Sequence, residues 1–247
     1  MTRIASHRGG TLDYGDSTPR GFAASAQMAL EELEFDVHPT KDGAIVVHHD
    51  ATLDRTTDTS GAISDKTLAE VKAATIHYAE GGHPLTLEEL CALYRTSHVT
   101  FRCEIKPGAD YRPYPDFVPK VVETLRRENM LERTGFSSFL VENLDALAAA
   151  TDRPKLWLIS PQVLWQLGPQ TILELCKSHQ ITEIAVQAGV ASADLMAEIT
   201  AGGVEFGVYG AHDAKTIDHV LALGVKVFTT DRPHLAIARR EAFRGKA

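Results

Sequence analysis

Short segments rich in β-branched and aromatic residues alternate with longer amphipathic segments along this chain of 247 residues. The alternation is typical of successive strand–helix units arranged around a parallel sheet. We predict strands at residues 4–7, 33–37, 100–105, 134–139, 155–159, 183–187, 205–209 and 226–230. The intervening segments predict helices at residues 19–30, 115–128, 142–150, 169–179, 192–201, 213–223 and 233–243. Asp213 at the start of one helix and Gly224 just after it are residues that favour helix ends.

Eight strands with intervening helices in a chain of this length favour an α/β fold of the TIM (β/α)8 barrel type over an open, doubly wound sheet. The sequence carries neither a GxGxxG dinucleotide fingerprint nor a Walker P-loop, either of which would favour the open sheet. Its hydrophobic content of 44% is enough to bury a large core. We therefore expect residues 1–247 to form a single barrel domain.

The segment from residue 40 to residue 95 interrupts the alternation. It contains a predicted short strand at 44–48, a turn-rich stretch at 54–61 and predicted helical pieces at 67–73 and 86–94. This is longer than an ordinary strand-to-helix loop. We interpret residues from about 50 to 85 as a small subdomain inserted at the C-terminal mouth of the barrel, where long loops commonly carry function.

Three carboxylates are expected to meet at that mouth. Side chains alternate between the two faces of a strand, so Glu34 and Asp36 point inward while their apolar neighbours point toward the helices, and Glu104 also points inward. Barrel enzymes place their sites at the carboxyl ends of the strands. Because crowded carboxylates are costly in a partly dry pocket, we expect Glu34, Asp36 and Glu104 to bind a divalent cation. All-oxygen ligation favours Mg²⁺ or Ca²⁺.

Histidine and cationic residues lie at neighbouring strand ends. His7 ends the first strand, Arg8 follows it, and His49 follows the short strand at 44–48. Two imidazoles that titrate near neutral pH can supply one acid and one base to a displacement at phosphorus. Arg8 offers a planar fork to phosphate oxygens. Lys106 also points inward, where an internal ion pair with Glu104 or Glu34 is the alternative to a functional role.

The composition limits the classes of function. A net charge of −8 and a pI near 5.7 argue against nucleic-acid binding, which depends on clustered Lys and Arg. The three cysteines have no spacing typical of a zinc site or a disulfide framework. No stretch has the apolar length of a signal peptide or of a membrane helix. We expect a cytoplasmic, soluble protein without membrane insertion. The apolar stretch around Trp157, Leu164 and Trp165 favours a core role but leaves a homo-oligomer open.

Several motifs carry a wider resemblance. They are Ser6-His7-Arg8-Gly9, Glu34-Phe35-Asp36-Val37, His49-Asp50, Leu53-Asp54-Arg55-Thr56-Thr57, Glu104-Ile105-Lys106 and Thr230-Asp231-Arg232-Pro233. In sequence and in order, from residue 4 to residue 233, they resemble the glycerophosphodiester phosphodiesterase family of the PI-PLC-like phosphodiesterase superfamily. The resemblance implies a catalytic TIM barrel that hydrolyses a phosphodiester to a phosphomonoester and an alcohol. It also implies metal ligation by Glu34, Asp36 and Glu104, acid/base catalysis by His7 and His49, and stabilisation of phosphate charge by Arg8 and Lys106.

Two segments depart from the family pattern. Asp16-Ser17-Thr18 stands where members usually have Glu-Asn-Thr, and Tyr209-Gly210-Ala211-His212 stands where Trp-Thr-Val-Asn is usual. Both segments should line the mouth where the glycerol or head group of a substrate sits. Asp16, Tyr209 and His212 are therefore candidate substrate-binding residues.

The leading hypothesis is a metal-dependent hydrolase whose small-molecule substrate is a glycerophosphodiester, cleaved to glycerol 3-phosphate and an alcohol. A second hypothesis is the same chemistry on another phosphodiester, such as a sugar phosphodiester. A third is a lyase in which a hydroxyl of the substrate attacks phosphorus and a cyclic phosphate leaves. A non-catalytic barrel that binds a phosphorylated ligand is the least favoured, because both histidines and all three carboxylates are present.

Overall fold

The first strand of the structure pairs with both the second and the last strand, so the parallel sheet closes on itself. The computed structural model describes residues 1–78 and 81–245. The described strands are β1 (Arg3–His7), β2 (Glu32–Pro39), β3 (Ile45–Val47), β4 (Leu85–Thr86), β5 (Thr100–Ile105), β6 (Thr134–Ser138), β7 (Lys155–Ile159), β8 (Glu183–Gln187), β9 (Glu205–Tyr209) and β10 (Val227–Thr230). Apart from β3 and β4, these strands run parallel around a closed barrel of eight, and the predicted TIM barrel is confirmed.

Helices separate the barrel strands. The described helices are α1 (Thr11–Tyr14), α2 (Pro19–Ser25), α3 (Leu68–Ala73), α4 (Leu87–Tyr94), α5 (Phe117–Arg127), α6 (Val141–Ala150), α7 (Pro161–Ser178), α8 (Ala193–Ala201), α9 (Ala214–Leu223) and α10 (Pro233–Arg244), with 3₁₀ turns at Ile63–Asp65 and Leu131–Arg133. Asp213 caps α9 by accepting the N–H of Thr216, and Gly224 ends it at a φ of 72°, both as predicted. Within the described ranges, no helix combines the length and apolar content needed to cross a bilayer.

Two helices differ from their predicted bounds. The helix predicted at 19–30 ends at Ser25, and beyond it the chain turns to enter β2 with Met28 and Leu30 buried in the core. Their apolar spacing therefore reflects packing and not a continuing helix. α7 extends ahead of the helix predicted at 169–179, because a further helical stretch begins at Pro161, and Gly168, with a non-helical φ of 72° and ψ of 162°, separates the two stretches. The Gly168-Pro169 pair therefore marks the start of the second stretch, as predicted, and the first stretch was missed.

The outward face of the barrel strands packs against the helices in one large apolar cluster. Phe35 of β2 and Phe101 of β5 meet there edge to face, with ring centroids 5.0 Å apart. Trp157 and Leu164 are buried in the same cluster, as predicted, but Trp165 is 71% exposed because it lies on the solvent side of α7. Strand alternation thus places apolar side chains outside the barrel wall and leaves the inner positions of β2 and β5 for polar side chains.

A buried ion-pair network fills the barrel beneath the polar mouth. The Arg102 guanidinium lies 2.7 Å from Glu32 and 3.2 Å from Glu183, and Lys226 lies 2.7 Å from Glu183. Burial alone would lower the pKa of Arg102, but Glu32 and Glu183 hold it above its ordinary value. The positive and negative charges of this layer balance each other, and the layer closes the floor of the barrel. The carboxylates at the mouth above it are therefore the candidates for a functional site.

The segment after β2 forms a small antiparallel extension. β2 pairs with β3 and β3 pairs with β4, both antiparallel. The chain between β3 and β4 surrounds a second apolar cluster formed by Val46, Leu53, Ile63, Val71 and Ala74. A separate cluster of this kind is consistent with an insertion at about residues 50–85, and the division of the chain into one domain with this insertion stays a prediction.

Candidate active site

The three predicted carboxylates converge at the carboxyl ends of β2 and β5. Asp36 lies beside Glu104 in the register of these strands, and Glu34 lies beside His7 in the register of β1 and β2. One oxygen from each of Glu34, Asp36 and Glu104 lies within 4.8 Å of the other two. We call these three residues the acidic triad. Two adjacent strands therefore present three acidic groups to one point.

The acidic triad is buried in a way that a bound cation would offset. Neither oxygen of Glu34 has a hydrogen-bond partner among the described residues. Burial raises the pKa of Glu34 well above its ordinary value, and Asp36 and Glu104 add to the rise. Burial also raises the pKa of Glu104, although Lys106 opposes it. Buried polar atoms without partners are costly, so this all-oxygen donor set fits a hard divalent cation.

Two cationic side chains lie beside the acidic triad. Lys106 Nζ is 2.7 Å from Glu104 Oε1 and 3.1 Å from Asp36 Oδ1, and Arg8 Nε is 3.3 Å from Asp36 Oδ2. Burial alone would raise the pKa of Asp36, but Lys106, His49 and Arg8 hold it below its ordinary value. The internal ion pair considered for Lys106 is therefore present, with Asp36 and Glu104 as its partners.

Each of the two predicted catalytic imidazoles is held by a carboxylate. His7 Nδ1 lies 2.5 Å from Asp231 Oδ1, and His49 Nδ1 lies 2.5 Å from Asp50 Oδ1. An ionised carboxylate only accepts, so each neutral ring carries its proton on Nδ1 and leaves Nε2 free to exchange a proton. His7 Nε2 lies 3.8 Å from Glu34 Oε2. Both rings line the cavity inside the barrel mouth, where they are fixed in orientation.

The two histidine-bracing carboxylates were missing from the sequence-based set of site residues. Asp50 directly follows His49, and Asp231 lies in the motif that follows the last strand, so both were visible as motif residues. The contact of Asp231 with His7 was not visible in the sequence, because Asp231 comes within reach of His7 only when β10 closes the barrel against β1. Burial lowers the pKa of His7 and Arg8 adds to this effect, whereas Asp231 opposes it.

Tyr209 and His212 line the same cavity as His7 and His49. The Tyr209 hydroxyl donates to the carbonyl of Ile159 at 3.3 Å. His212 Nδ1 accepts the backbone N–H of Asp231 at 3.0 Å, and its ring centroid lies 5.9 Å from that of His7. With Nδ1 accepting, the neutral ring presents an Nε2–H donor.

Asp16 is placed differently from the other two candidate substrate-binding residues. It is 2% exposed and lies behind Arg8, outside the set of residues that line the cavity. Its Oδ2 is 3.0 Å from Arg8 Nη1 and 2.8 Å from Arg55 Nη2, and its Oδ1 accepts from the hydroxyl of Ser17 at 2.9 Å. The structure thus shows Asp16 as a partner of two arginines. A contact between Asp16 and substrate stays a prediction.

The cavity at the barrel mouth has a volume of about 190 Å³ and two chemically different walls. The polar wall holds the histidines, Arg8, Lys106, Glu34 and Glu104. The opposite wall consists of small and aliphatic side chains from the later strands, including Leu156, Leu158, Ala185, Val208 and Val227.

One polar group lies on the border between these walls. Ser137 is 1% exposed, and its hydroxyl has no hydrogen-bond partner in the part of the chain that the structure describes. It lies beside Glu104 in the register of β5 and β6 and beside Leu156 in that of β6 and β7. Strand alternation alone could have predicted that Ser137 lines the barrel interior, since its side chain lies on the inward face of β6.

Fold and site together define a TIM-barrel enzyme with paired imidazoles over an acidic centre. The sequence matches the model of the glycerophosphoryl diester phosphodiesterase family over residues 7–235. The chain therefore belongs to this family, and it is a phosphoric diester hydrolase.

Known proteins resemble the chain over nearly its whole length. A glycerophosphodiester phosphodiesterase of Bacillus altitudinis is 29% identical over 247 residues, which are 98% of this chain and 99% of the relative. A crystal structure from Agrobacterium tumefaciens, provisionally described as a glycerophosphoryl diester phosphodiesterase, is 63% identical with a TM-score of 0.98 and covers 99% of both chains. A phosphodiesterase of Oleispira antarctica, solved with its product sn-glycerol-3-phosphate, shares the fold at 20% identity, with a TM-score of 0.80 over 98% of this chain and 97% of that one.

Proposed function

We propose that this phosphodiesterase is a metal-dependent glycerophosphodiester phosphodiesterase in which His7 and His49 form the acid/base pair. The observation that carries the proposal is the pair of carboxylate-braced imidazoles that line one cavity with the acidic triad. Two oriented imidazoles can supply both proton transfers of an in-line displacement at phosphorus, in which one proton leaves the attacking water and another reaches the departing alcohol.

Glu34, Asp36 and Glu104 would hold the divalent cation, Mg²⁺ or Ca²⁺. When bound, such a cation polarises a phosphoryl oxygen and offsets its charge. Arg8 adds a planar donor fork beside Asp36, and Lys106 adds a point charge between Asp36 and Glu104. We propose that the side chains of Arg8 and Lys106 both contact the phosphate oxygens.

The proton transfers belong to the two imidazoles. One accepts a proton from the attacking water through Nε2, and the other donates a proton to the oxygen of the leaving alcohol. In each case the Nδ1–H bond to Asp231 or Asp50 keeps the ring in place and stabilises the imidazolium when it forms. The water oxygen becomes bonded to phosphorus as the bond from phosphorus to the alkoxy oxygen breaks, which yields a phosphomonoester and an alcohol.

The substrate class is supported by the relatives and by the shape of the cavity. Two relatives that match this chain over nearly their full length are described as glycerophosphodiester phosphodiesterases. The Oleispira protein was solved with glycerol 3-phosphate as its product. We propose that Tyr209 and His212 contact the glycerol or head group, since both line the cavity. The proposal includes a cytoplasmic location and a small-molecule phosphodiester as substrate, without nucleic-acid binding or membrane insertion, and a homo-oligomer stays a prediction.

The test is the release of glycerol 3-phosphate from glycerophosphocholine and glycerophosphoethanolamine, with a sugar phosphodiester for comparison. Protein stripped with EDTA should be inactive and should recover on addition of Mg²⁺ or Ca²⁺. Activity that is indifferent to the chelator would contradict the metal part of the proposal. Phosphorus NMR of early product separates hydrolysis from a lyase, because a cyclic phosphate that appears first would show intramolecular attack.

A matched pair of variants tests the acid/base assignment. His49→Ala removes one proposed proton donor or acceptor, whereas His98→Ala changes an exposed histidine at the amino end of β5. We expect the first variant to lose activity and the second to keep it. Equal activity in both would refute the role of His49.

A further inference from the structure

One guanidinium of the insertion links two groups of the candidate active site. Arg55 Nε lies 2.6 Å from Asp50 Oδ2, and Arg55 Nη2 lies 2.8 Å from Asp16 Oδ2. Asp50 in turn holds His49 through its other oxygen, and Asp16 holds Arg8. A continuous chain of charged contacts therefore runs from one catalytic imidazole through the insertion to the arginine beside Asp36.

The two carboxylates that Arg55 joins differ in exposure. Asp16 is buried, so its charge requires compensation. Burial alone would raise the pKa of Asp16, but Arg8 and Arg55 hold it below its ordinary value. The side chain of Arg55 is 45% exposed, and an ion pair at such a position contributes little to global stability. Because Arg8 and Ser17 still contact Asp16 without it, the loss of Arg55 should leave the fold intact.

The backbone around this contact is held in an uncommon conformation. Arg8 and Ser17 are non-glycine residues with φ of 52° and 55°, and the N–H of Ser17 donates to the carbonyl of Arg8 at 3.2 Å. Residues in the left-handed region persist when their surroundings fix them, and they concentrate at functional sites. The loop that carries Asp16 and the loop that carries Arg8 are thus fixed against each other at the point that Arg55 reaches.

We propose that Arg55 is a positioning residue of this phosphodiesterase, which fixes the orientation of His49 through Asp50 and that of Arg8 through Asp16. The planar fork of the guanidinium matters, because it directs two donors to two different carboxylates at once and so bridges them. A lysine has a single ammonium on a flexible stem and cannot reproduce that fork. The insertion, which packs on its own apolar cluster, thereby determines the geometry of the barrel site. The inference rests on the proposed function for its kinetic consequence and on the structure alone for its geometric one.

The experiment compares Arg55→Gln, Arg55→Lys and a control, Arg127→Gln. Arg127 forms an exposed ion pair with Glu88, so its replacement removes the same charge without touching the site. We expect Arg55→Gln to lower kcat by at least about 10-fold, toward the ~10²-fold that a displacement of about 1 Å can cost. Arg55→Lys should restore part of kcat, whereas Arg127→Gln should match the wild type. Wild-type kcat in Arg55→Gln would overturn the proposal.

A second readout does not need substrate. In protein labelled with ¹⁵N-histidine, the two ring nitrogens of His49 report which of them carries the proton at a fixed pH of about 7.5. The wild type should show an Nδ1–H tautomer, and Arg55→Gln should show exchange between tautomers or a shifted Nδ1 signal. If the wild type cleaves no phosphodiester, the proposed function fails, yet an altered His49 signal still supports the positioning role. An unchanged His49 signal in a folded Arg55→Gln variant would overturn the positioning role. If Arg55→Gln does not fold, the same comparison is made with Arg55→Lys, and an unchanged signal there would overturn the role in the same way.

A double-mutant cycle separates positioning from simple loss of charge. Asp50→Asn removes the carboxylate through which Arg55 reaches His49. If Arg55 acts through Asp50, adding Arg55→Gln to Asp50→Asn should lower kcat by less than Arg55→Gln does in the wild-type background. Full additivity of the two effects would contradict the proposed path through Asp50.

Discussion

The replacement Glu34→Gln should remove most of the metal-induced stabilisation without destabilising the metal-free protein. Glu34 is buried, neither of its oxygens has a hydrogen-bond partner among the described residues, and its pKa is raised by burial and by the neighbouring Asp36 and Glu104. The neutral amide removes one negative charge from the acidic triad at nearly constant volume. In the absence of a cation this change relieves repulsion. In its presence the change deletes a ligand.

The magnitude follows from binding linkage. A cation at about 100 times its dissociation constant stabilises the folded state by about 2.7 kcal/mol. For a chain of this length, about 1 kcal/mol corresponds to a shift of about 2–4 °C in Tm, so the wild type should melt about 5–11 °C higher with saturating Mg²⁺ or Ca²⁺ than with EDTA. The Glu34→Gln variant should show less than about a quarter of that shift, and with EDTA its Tm should be no lower than that of the wild type.

Differential scanning calorimetry measures both quantities. Glu132→Gln is a suitable control, because Glu132 is an exposed glutamate whose side chain pairs with Arg153 far from the triad. It should retain the full metal-induced shift. A normal shift in Glu34→Gln would refute the assignment of Glu34 as a ligand, and the absence of any shift in the wild type with either cation would refute the metal site itself.

Further expectations concern single side chains. His49→Ala should lower kcat by at least about 10²-fold with an unchanged circular dichroism spectrum, and near-normal turnover would contradict acid/base catalysis by His49. Asp231→Asn should cost at least about 10²-fold in kcat through loss of the preferred His7 tautomer, and a wild-type ¹⁵N signal of His7 in this variant would contradict that explanation. Ser137→Ala should leave the free energy of unfolding unchanged or raise it by up to ~1 kcal/mol, because it removes a buried hydroxyl without a described partner. The same variant should lower kcat/KM by about 3- to 10-fold if that hydroxyl bonds to substrate, and an unchanged kcat/KM would show that it does not.

The barrel and the acidic triad could be predicted because they depend on local periodicity. A period of two along β2 and β5 decides which side chains face inward, and the predicted parallel barrel places these two strands side by side, which brings Asp36 and Glu104 together. The same reasoning would have found Ser137. Helix ends were predictable where a capping residue and a glycine marked them, as at Asp213 and Gly224.

The contact of His7 with Asp231 and that of Arg55 with Asp16 could not be predicted in this way, because each joins separated parts of the chain. His7 and Asp231 are separated by 224 positions and meet only through barrel closure. Arg55 reaches Asp16 across the boundary between the insertion and the barrel, so no spacing in the sequence reveals the pair. Helix α7 illustrates a different difficulty, since Gly168-Pro169 marked the helix boundary correctly but gave no indication of the helical stretch from Pro161 that precedes it.

Charge balance connects the acidic triad, the braced histidines and the insertion. The connected group at the barrel mouth contains the carboxylates of Asp16, Glu34, Asp36, Asp50, Glu104 and Asp231 and the permanent cations Arg8, Arg55 and Lys106. A phosphodiester is itself an anion, so this excess of negative charge disfavours its entry. Protonation of Glu34 would reduce the excess but would supply no positive charge to the phosphate, whereas a divalent cation at the triad would do both. Phosphate affinity should therefore depend on the divalent cation, and Arg55 supplies one of the three permanent side-chain charges that limit the same repulsion.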